Sequence, residues 1–322
     1  MRLTRKVLLS CSLGLGLAGA AAADPAGDRS RVGAAGVHAP DPADERAVEI
    51  ALRALDAIER GWAIGAYGDR ARVSVNARGA SGFGATMNVV IDPPGRRWRL
   101  DAGGDVGPLA LAVRGDAATL HVPGLAQWAR RRAGALARVA RPAASIAAEI
   151  AAMRARLRAG YPGLVYRGEE AVHGVSAHRI DDTAAPGTTV SFWIDAGSDL
   201  PRRIAVDRHG GGDVRIDLRY GEGPVPIRIE ATISKSPPIR VVATLHYDGA
   251  GRVRRIDGLL RSGGSELEAD VTVRWSTGAD PGFFDLEIPA PARRVAFAQL
   301  ARGIALQAAG SLGPIVRGLL GR

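Results

Sequence analysis

Between positions 72 and 275, apolar residues recur at every second position in one short run after another. Val214, Ile216, Leu218 and Tyr220 alternate with Arg215, Asp217 and Arg219, and Leu267, Ala269, Val271, Val273 and Trp275 alternate with Glu268, Asp270 and Arg274. Period two marks strands with one apolar and one wetted face. This criterion predicts strands over 72–78, 85–92, 96–101, 109–115 and 117–122, and again over 176–181, 189–195, 203–207, 213–220, 226–233, 240–247, 252–260 and 266–275. Gly and Pro clusters such as Pro93-Pro94-Gly95 separate them. Connections this short imply antiparallel pairing, because a parallel pair needs a long crossover.

The period changes in three places. Val48, Leu52, Leu55 and Ile58 follow a helical spacing, with Asp44 as N-cap and Gly61 as stop. Over 124–160, Leu125, Trp128, Leu136, Val139, Ile146, Ile150, Met153 and Leu157 predict a helical insert divided or kinked at Pro142. The segment 292–322 combines Val295, Leu300, Ile304, Leu306, Ile315, Val316, Leu319 and Leu320 with several arginines. It reads as an amphipathic helical tail that either packs on the sheet or lies on an anionic membrane surface.

The fold class is therefore mainly β with helices, an α+β chain built on a large curved antiparallel sheet. A sheet of about a dozen strands curls or closes. Three helical segments are too few to cover its apolar face, which leaves a hydrophobic cleft.

Residues 1–23 read as a cleavable signal peptide: Arg2, Arg5 and Lys6 precede an apolar stretch, and Ala21-Ala22-Ala23 precedes Asp24. Residues 24–43, rich in Ala, Gly, Pro and Asp, read as a flexible tether. The expected location is the periplasm, with a lipid anchor at Cys11 as the minority alternative. Cys11 is the only cysteine, so the processed chain holds no disulfide. The net charge is +10, and loss of the three leader cations leaves +7, nearly all of it arginine. In an exported protein that charge points to acidic headgroups or glycans, not nucleic acid.

No GxSxG, HExxH or P-loop occurs, and the GxGxxG at Gly14, Gly16 and Gly19 lies inside the leader, away from any βαβ context. Strand alternation sends His173 and His178 to opposite faces, against a shared metal. His178, Asp181 and Asp182 fit a surface turn better than an acid/base group. No catalytic residue, metal site or cofactor is expected.

The order of PPGRRWRLDAGG, GDAATLHVPG, EEAVHGVSAHRIDD, VSFWIDAGSDLPRRIAVD and FFDLEIPAPARRV resembles that of the outer-membrane lipoprotein carrier (LolA-like) superfamily, nearest its uncharacterised predicted periplasmic branch. Together with the first helix the phrases extend over about 250 residues. The chain lacks the Phe-x-Gln phrase that follows the first helix in carriers proper. The resemblance implies an incomplete β-barrel over 44–291 with a helical lid, holding a lipid or lipoprotein acyl chain, and no catalytic residues.

The alternation of the strands supplies the candidates. Met87, Val89, Ile91, Leu111, Phe192, Ile194, Leu218 and Ile229 are expected to wall the cavity, Trp128 and Met153 to belong to the lid, and Arg96, Arg97 and Arg99 to meet a headgroup. The expected role is a carrier or envelope sensor. A ligand-free scaffold is the alternative, followed by a lipid or glycan hydrolase.

Overall fold

The structure, a computed structural model, describes residues 44–300 except 62–69, 80–81, 106, 141–142, 209–212, 235 and 277–280. The leader, the tether and most of the C-terminal tail lie outside the described residues.

After helix α1 (Glu45–Gly61), six strands run β1 (Arg70–Gly79), β2 (Gly84–Asp92), β3 (Arg97–Gly104), β4 (Leu109–Arg114), β5 (Ala117–Val122) and β6 (Gln127–Arg132). A 3-10 turn, Gly134–Arg138, and helix α2 (Ala143–Arg158) lead to β7 (Leu164–Val172). Then follow β8 (Val175–Ala185), β9 (Thr188–Asp195), β10 (Pro201–Arg208), β11 (Val214–Tyr220), β12 (Pro226–Ile233), β13 (Ile239–Tyr247), β14 (Val253–Ser262) and β15 (Ser265–Ser276). The short β16 (Arg293–Arg294) comes last.

All sixteen strands form one sheet in the order β16-β6-β5-β4-β3-β2-β1-β15-β14-β13-β12-β11-β10-β9-β8-β7. The chain starts in the middle and meanders to one edge. It crosses to the far edge through α2 and meanders back until β15 lies antiparallel to β1, from Arg70↔Ser276 to Gly79↔Leu267. Among the described residues the edges at β7 and β16 do not pair, so the sheet stays open, as an incomplete barrel does.

Local chemistry sets the turns. His173-Gly174 and Gly263-Gly264 each have two consecutive positive φ angles, 52° and 80° and then 56° and 80°. That geometry matches the right-handed twist of two-residue hairpins, here β7–β8 and β14–β15. The β9–β10 turn is held by Asp195, whose Oδ1 accepts the Gly197 and Ser198 N–H groups at 2.8 and 3.0 Å, while Oδ2 accepts Arg202 Nε at 2.7 Å.

Two expectations need correction. Residues 127–132 of the supposed helical insert form β6, because the free edge of β5 offers a ladder that overrides the helix propensity of Ala and Arg. In the tail, Arg293 and Arg294 pair in parallel with Gln127 and Trp128, and helical structure begins at Phe297. The periodicity also missed β7, where Gly168, at a register shift, and the charged pair Glu169-Glu170 interrupt the alternation on an edge strand. Charge on an edge discourages pairing with other chains.

Candidate apolar binding face

The register carries the apolar positions of all the long strands to one face. One row runs Leu120, Leu111, Leu100, Val89, Val73, Val273 across β5 to β15. Another runs Ile180, Phe192, Ile204, Ile216, Ala231, Val241, Leu260 across β8 to β14. Met87, Val89, Ile91, Leu111, Phe192, Ile194, Leu218 and Ile229 all have the parity of this face.

The two ends of the face are covered. At one end α1 lies on β7 to β9, burying Ala47, Ile50 and Ala54 with Leu164, Ile180 and Ile194, and Met153 of α2 packs against the same cluster. Asp44 fixes where α1 begins: its Oδ1 accepts the Arg46 N–H at 2.9 Å and its Oδ2 the Tyr166 N–H at 3.2 Å. Arg154 of α2 bridges to Asp56 and Glu59 of α1 at 2.7 and 2.6 Å. Arg53 of α1 reaches Asp199, in the β9–β10 turn, at 3.0 Å. At the other end the chain after β6 covers Val89, Trp98 and Val113 with Ala133, Leu136 and Ala140, and the Trp98 indole donates to the Leu136 carbonyl at 2.8 Å.

The candidate wall residues therefore share a face but not one enclosed space. Leu218 and Ile229 belong to a cluster under Ile58 of α1, and Val89, Ile91 and Leu111 to the Trp98 cluster. Between the covers lies a strip over β13 to β15, β1 and β2, where Met87, Val241, Leu260 and Val271 are half-buried and join neither cluster. Along it Ala243, Gly258, Ala269, Ala77 and Ala85 stand opposite one another in successive strands, a shallow row of small side chains. Phe83 packs over Ala77 and Ala85 and closes that end.

Trp128 is corrected from lid to strand. It pairs with His121 on the opposite face, under the Arg294 guanidinium at 5.3 Å. The headgroup arginines are corrected as well, because alternation around the inward Trp98 turns Arg97 and Arg99 away from the apolar face. Arg97 donates to Asp92 at 2.6 Å and lies 4.6 Å over Phe284. Arg99 pairs with Asp101 and donates to the Phe283 carbonyl at 2.9 Å. Arg96 is an exposed turn residue with φ 50°. The Phe283-Phe284 phrase is thus the anchor that these cations hold.

Titratable groups gather under the helices. The Tyr161 hydroxyl lies 3.3 Å from Asp182 Oδ2. Burial, then the Asp182 charge, push the Tyr161 phenol up to about 12, and burial raises the Asp182 carboxyl. Asp181 projects from the other face to Arg167, Arg179 and Ser191, so it does not join Asp182 and His178 in one group. Among the described residues no cluster of His, Cys, Asp and Glu is arranged to hold a metal ion.

An open, mainly antiparallel sheet with helices over part of its apolar face defines the architectural class: an incomplete barrel. No family model matches the chain, and no curated protein matches it. Solved structures similar in fold include members of the superfamily that the sequence phrases resemble. A LolA superfamily protein from Nitrosomonas europaea is 11% identical over 72% of this chain and 97% of its own, with a TM-score of 0.36. A domain assigned as an outer membrane lipoprotein-sorting protein from Vibrio parahaemolyticus is 11% identical over 75% and 97%, with a TM-score of 0.35. An uncharacterised conserved protein from Thermus thermophilus is 11% identical over 76% and 98%, with a TM-score of 0.30.

Proposed function

We propose that the chain is an exported periplasmic binding protein that shelters an acyl chain, of a lipid or a lipoprotein, against its apolar face, as a carrier or envelope sensor without catalysis. The observation that carries this reading is the strip between the two covers, where Met87, Val241, Leu260 and Val271 remain half-buried beside a row of small residues. A ligand lying in that row gains about 0.8 kcal/mol for each methylene it removes from water. The covers supply a lid: α1 and α2 are tied to each other and to the β9–β10 turn by exposed or half-exposed ion pairs, which are weak enough to reopen. Contact with an anionic membrane surface through 292–322 belongs to the same proposal, and Arg293 and Arg294 are exposed.

The test uses delipidated protein and a pyrene-labelled fatty acid. Val271→Asp and Met87→Asp should each weaken binding at least tenfold. Thr86→Asp, one residue away on the wetted face, should leave it unchanged. Absence of binding by the parent protein, or equal loss in all three variants, would overturn the proposal.

A further inference from the structure

The wetted face carries a groove of about 690 Å³ across β1 and β12 to β15, on the side of the sheet away from the acyl-chain strip. Its floor is an apolar pair, Val242 and Leu259, directly opposed across β13 and β14. At one end Arg240 and Arg261 also stand directly opposite each other, and Arg78 lines the same groove. Like charges opposed in a sheet repel, so this placement costs stability unless something negative lies between them.

The protein's own carboxylates meet that need in part. Arg240 reaches Glu230 through one nitrogen at 2.9 Å, and Arg261 reaches Glu266 through one nitrogen at 2.5 Å. A guanidinium has five N–H donors in a planar fork, and both side chains are about half exposed, 52% and 54%. Arg78, opposite Glu268 in the register, forms no ion pair within 4.0 Å among the described residues. The other end of the groove is balanced differently: Asp257 and Asp270 are opposed, and Arg255 spans them at 2.9 and 2.8 Å. Glu230 is shared with Arg228 at 2.9 Å, and Glu268 is the one carboxylate of the lining at this end, so the Arg78, Arg240 and Arg261 end carries more positive charge than its carboxylates neutralise.

We infer that this end of the groove binds a phosphate ester, its oxygens set between the Arg240 and Arg261 forks and its organic part on the Val242–Leu259 floor. Arginine suits such a ligand because its fork matches phosphate oxygens two at a time. The inference is independent of the acyl-chain reading, since it uses the opposite face.

Two arms separate the sources of the phosphate. Glycerol 3-phosphate is titrated calorimetrically into the full chain, and vesicles of phosphatidylglycerol or phosphatidylcholine are co-sedimented with it. The variants are Arg240→Gln with Arg261→Gln, and as control Arg72→Gln with Arg274→Gln. The control removes the same charge from another directly opposed pair on the same face, outside the groove. The expected result is at least tenfold weaker binding for the Arg240/Arg261 variant, with melting unchanged or raised, and no more than twofold change in binding for the control and for Val271→Asp. Binding of the soluble ester assigns a free phosphate ester; binding confined to phosphatidylglycerol vesicles assigns a headgroup. No binding in either arm, or equal loss in both double variants, overturns the inference.

Discussion

Replacing Asp195 by Ala removes a carboxylate that is 4% exposed and fastens the β9–β10 turn at both ends. It leaves the Gly197 and Ser198 N–H groups without their acceptor and leaves the Arg202 guanidinium, itself only 19% exposed, without its anion. Breaking a buried ion pair from one side costs about 3–5 kcal/mol. Arg202 keeps its position 5.0 Å over the Tyr220 ring, so the lower end, about 3 kcal/mol, is expected. The pH dependence separates this account from simple loss of packing. Burial alone would raise the Asp195 carboxyl, but Arg202 and the two loop N–H groups outweigh it and hold the group below its ordinary range. A depressed folded-state value stabilises fully above the unfolded value, near 3.9, and the contribution disappears as pH falls through the folded value. Urea unfolding of parent and variant should thus show the full gap at pH 7 and a narrowing gap below about pH 4. Hydrogen exchange should also quicken in α1, because Arg53 is fastened to Asp199 in the same turn. A gap under about 1 kcal/mol at neutral pH, or one that persists undiminished in acid, would refute the reasoning.

Leu218→Ala, at 1% exposure in the cluster beneath α1, should cost about 2–5 kcal/mol in urea unfolding. Gly104→Ala should destabilise by about 1–3 kcal/mol or more, since φ is +83° and the added Cβ would stand 2.4 Å from the Gly84 carbonyl oxygen, a backbone atom that cannot rotate away. Gly258→Ala, where the new Cβ meets Ala269 at an ordinary 3.5 Å, should be tolerated in the same assay. The Tyr161 phenol, raised to about 12, makes stability fully present below pH 10 and lost as pH climbs from 10 to 12. Tyr161→Phe should flatten that alkaline loss, and ultraviolet titration should show one late-ionising tyrosine that disappears in the variant.

Strand positions, face parity and the first helix follow from local sequence. Period-two alternation ties each apolar residue to its neighbours two positions away, so Val214, Ile216 and Leu218 share a side however the strands assemble, and Asp44 caps α1 with its own carboxylate. Strands at or next to the sheet edges were not legible. β6 and β7 pair with strands adjacent in sequence, β5 and β8, yet Arg130 to Arg132 and Glu169-Glu170 break the period-two alternation that would reveal them. Strand order was beyond local reading too, since the pairing of β15 with β1 joins residues about two hundred positions apart. Tertiary structure alone decided that Trp98 turns inward beneath Leu136, that Arg97 and Arg99 spend their charge on Asp92, Asp101 and the Phe283-Phe284 anchor, and that Arg240 faces Arg261. Alternation fixes which residues share a face, because it is a property of the backbone. Which parts of that face are covered, and which charges are left over, depends on contacts that exist only after the two meanders have met.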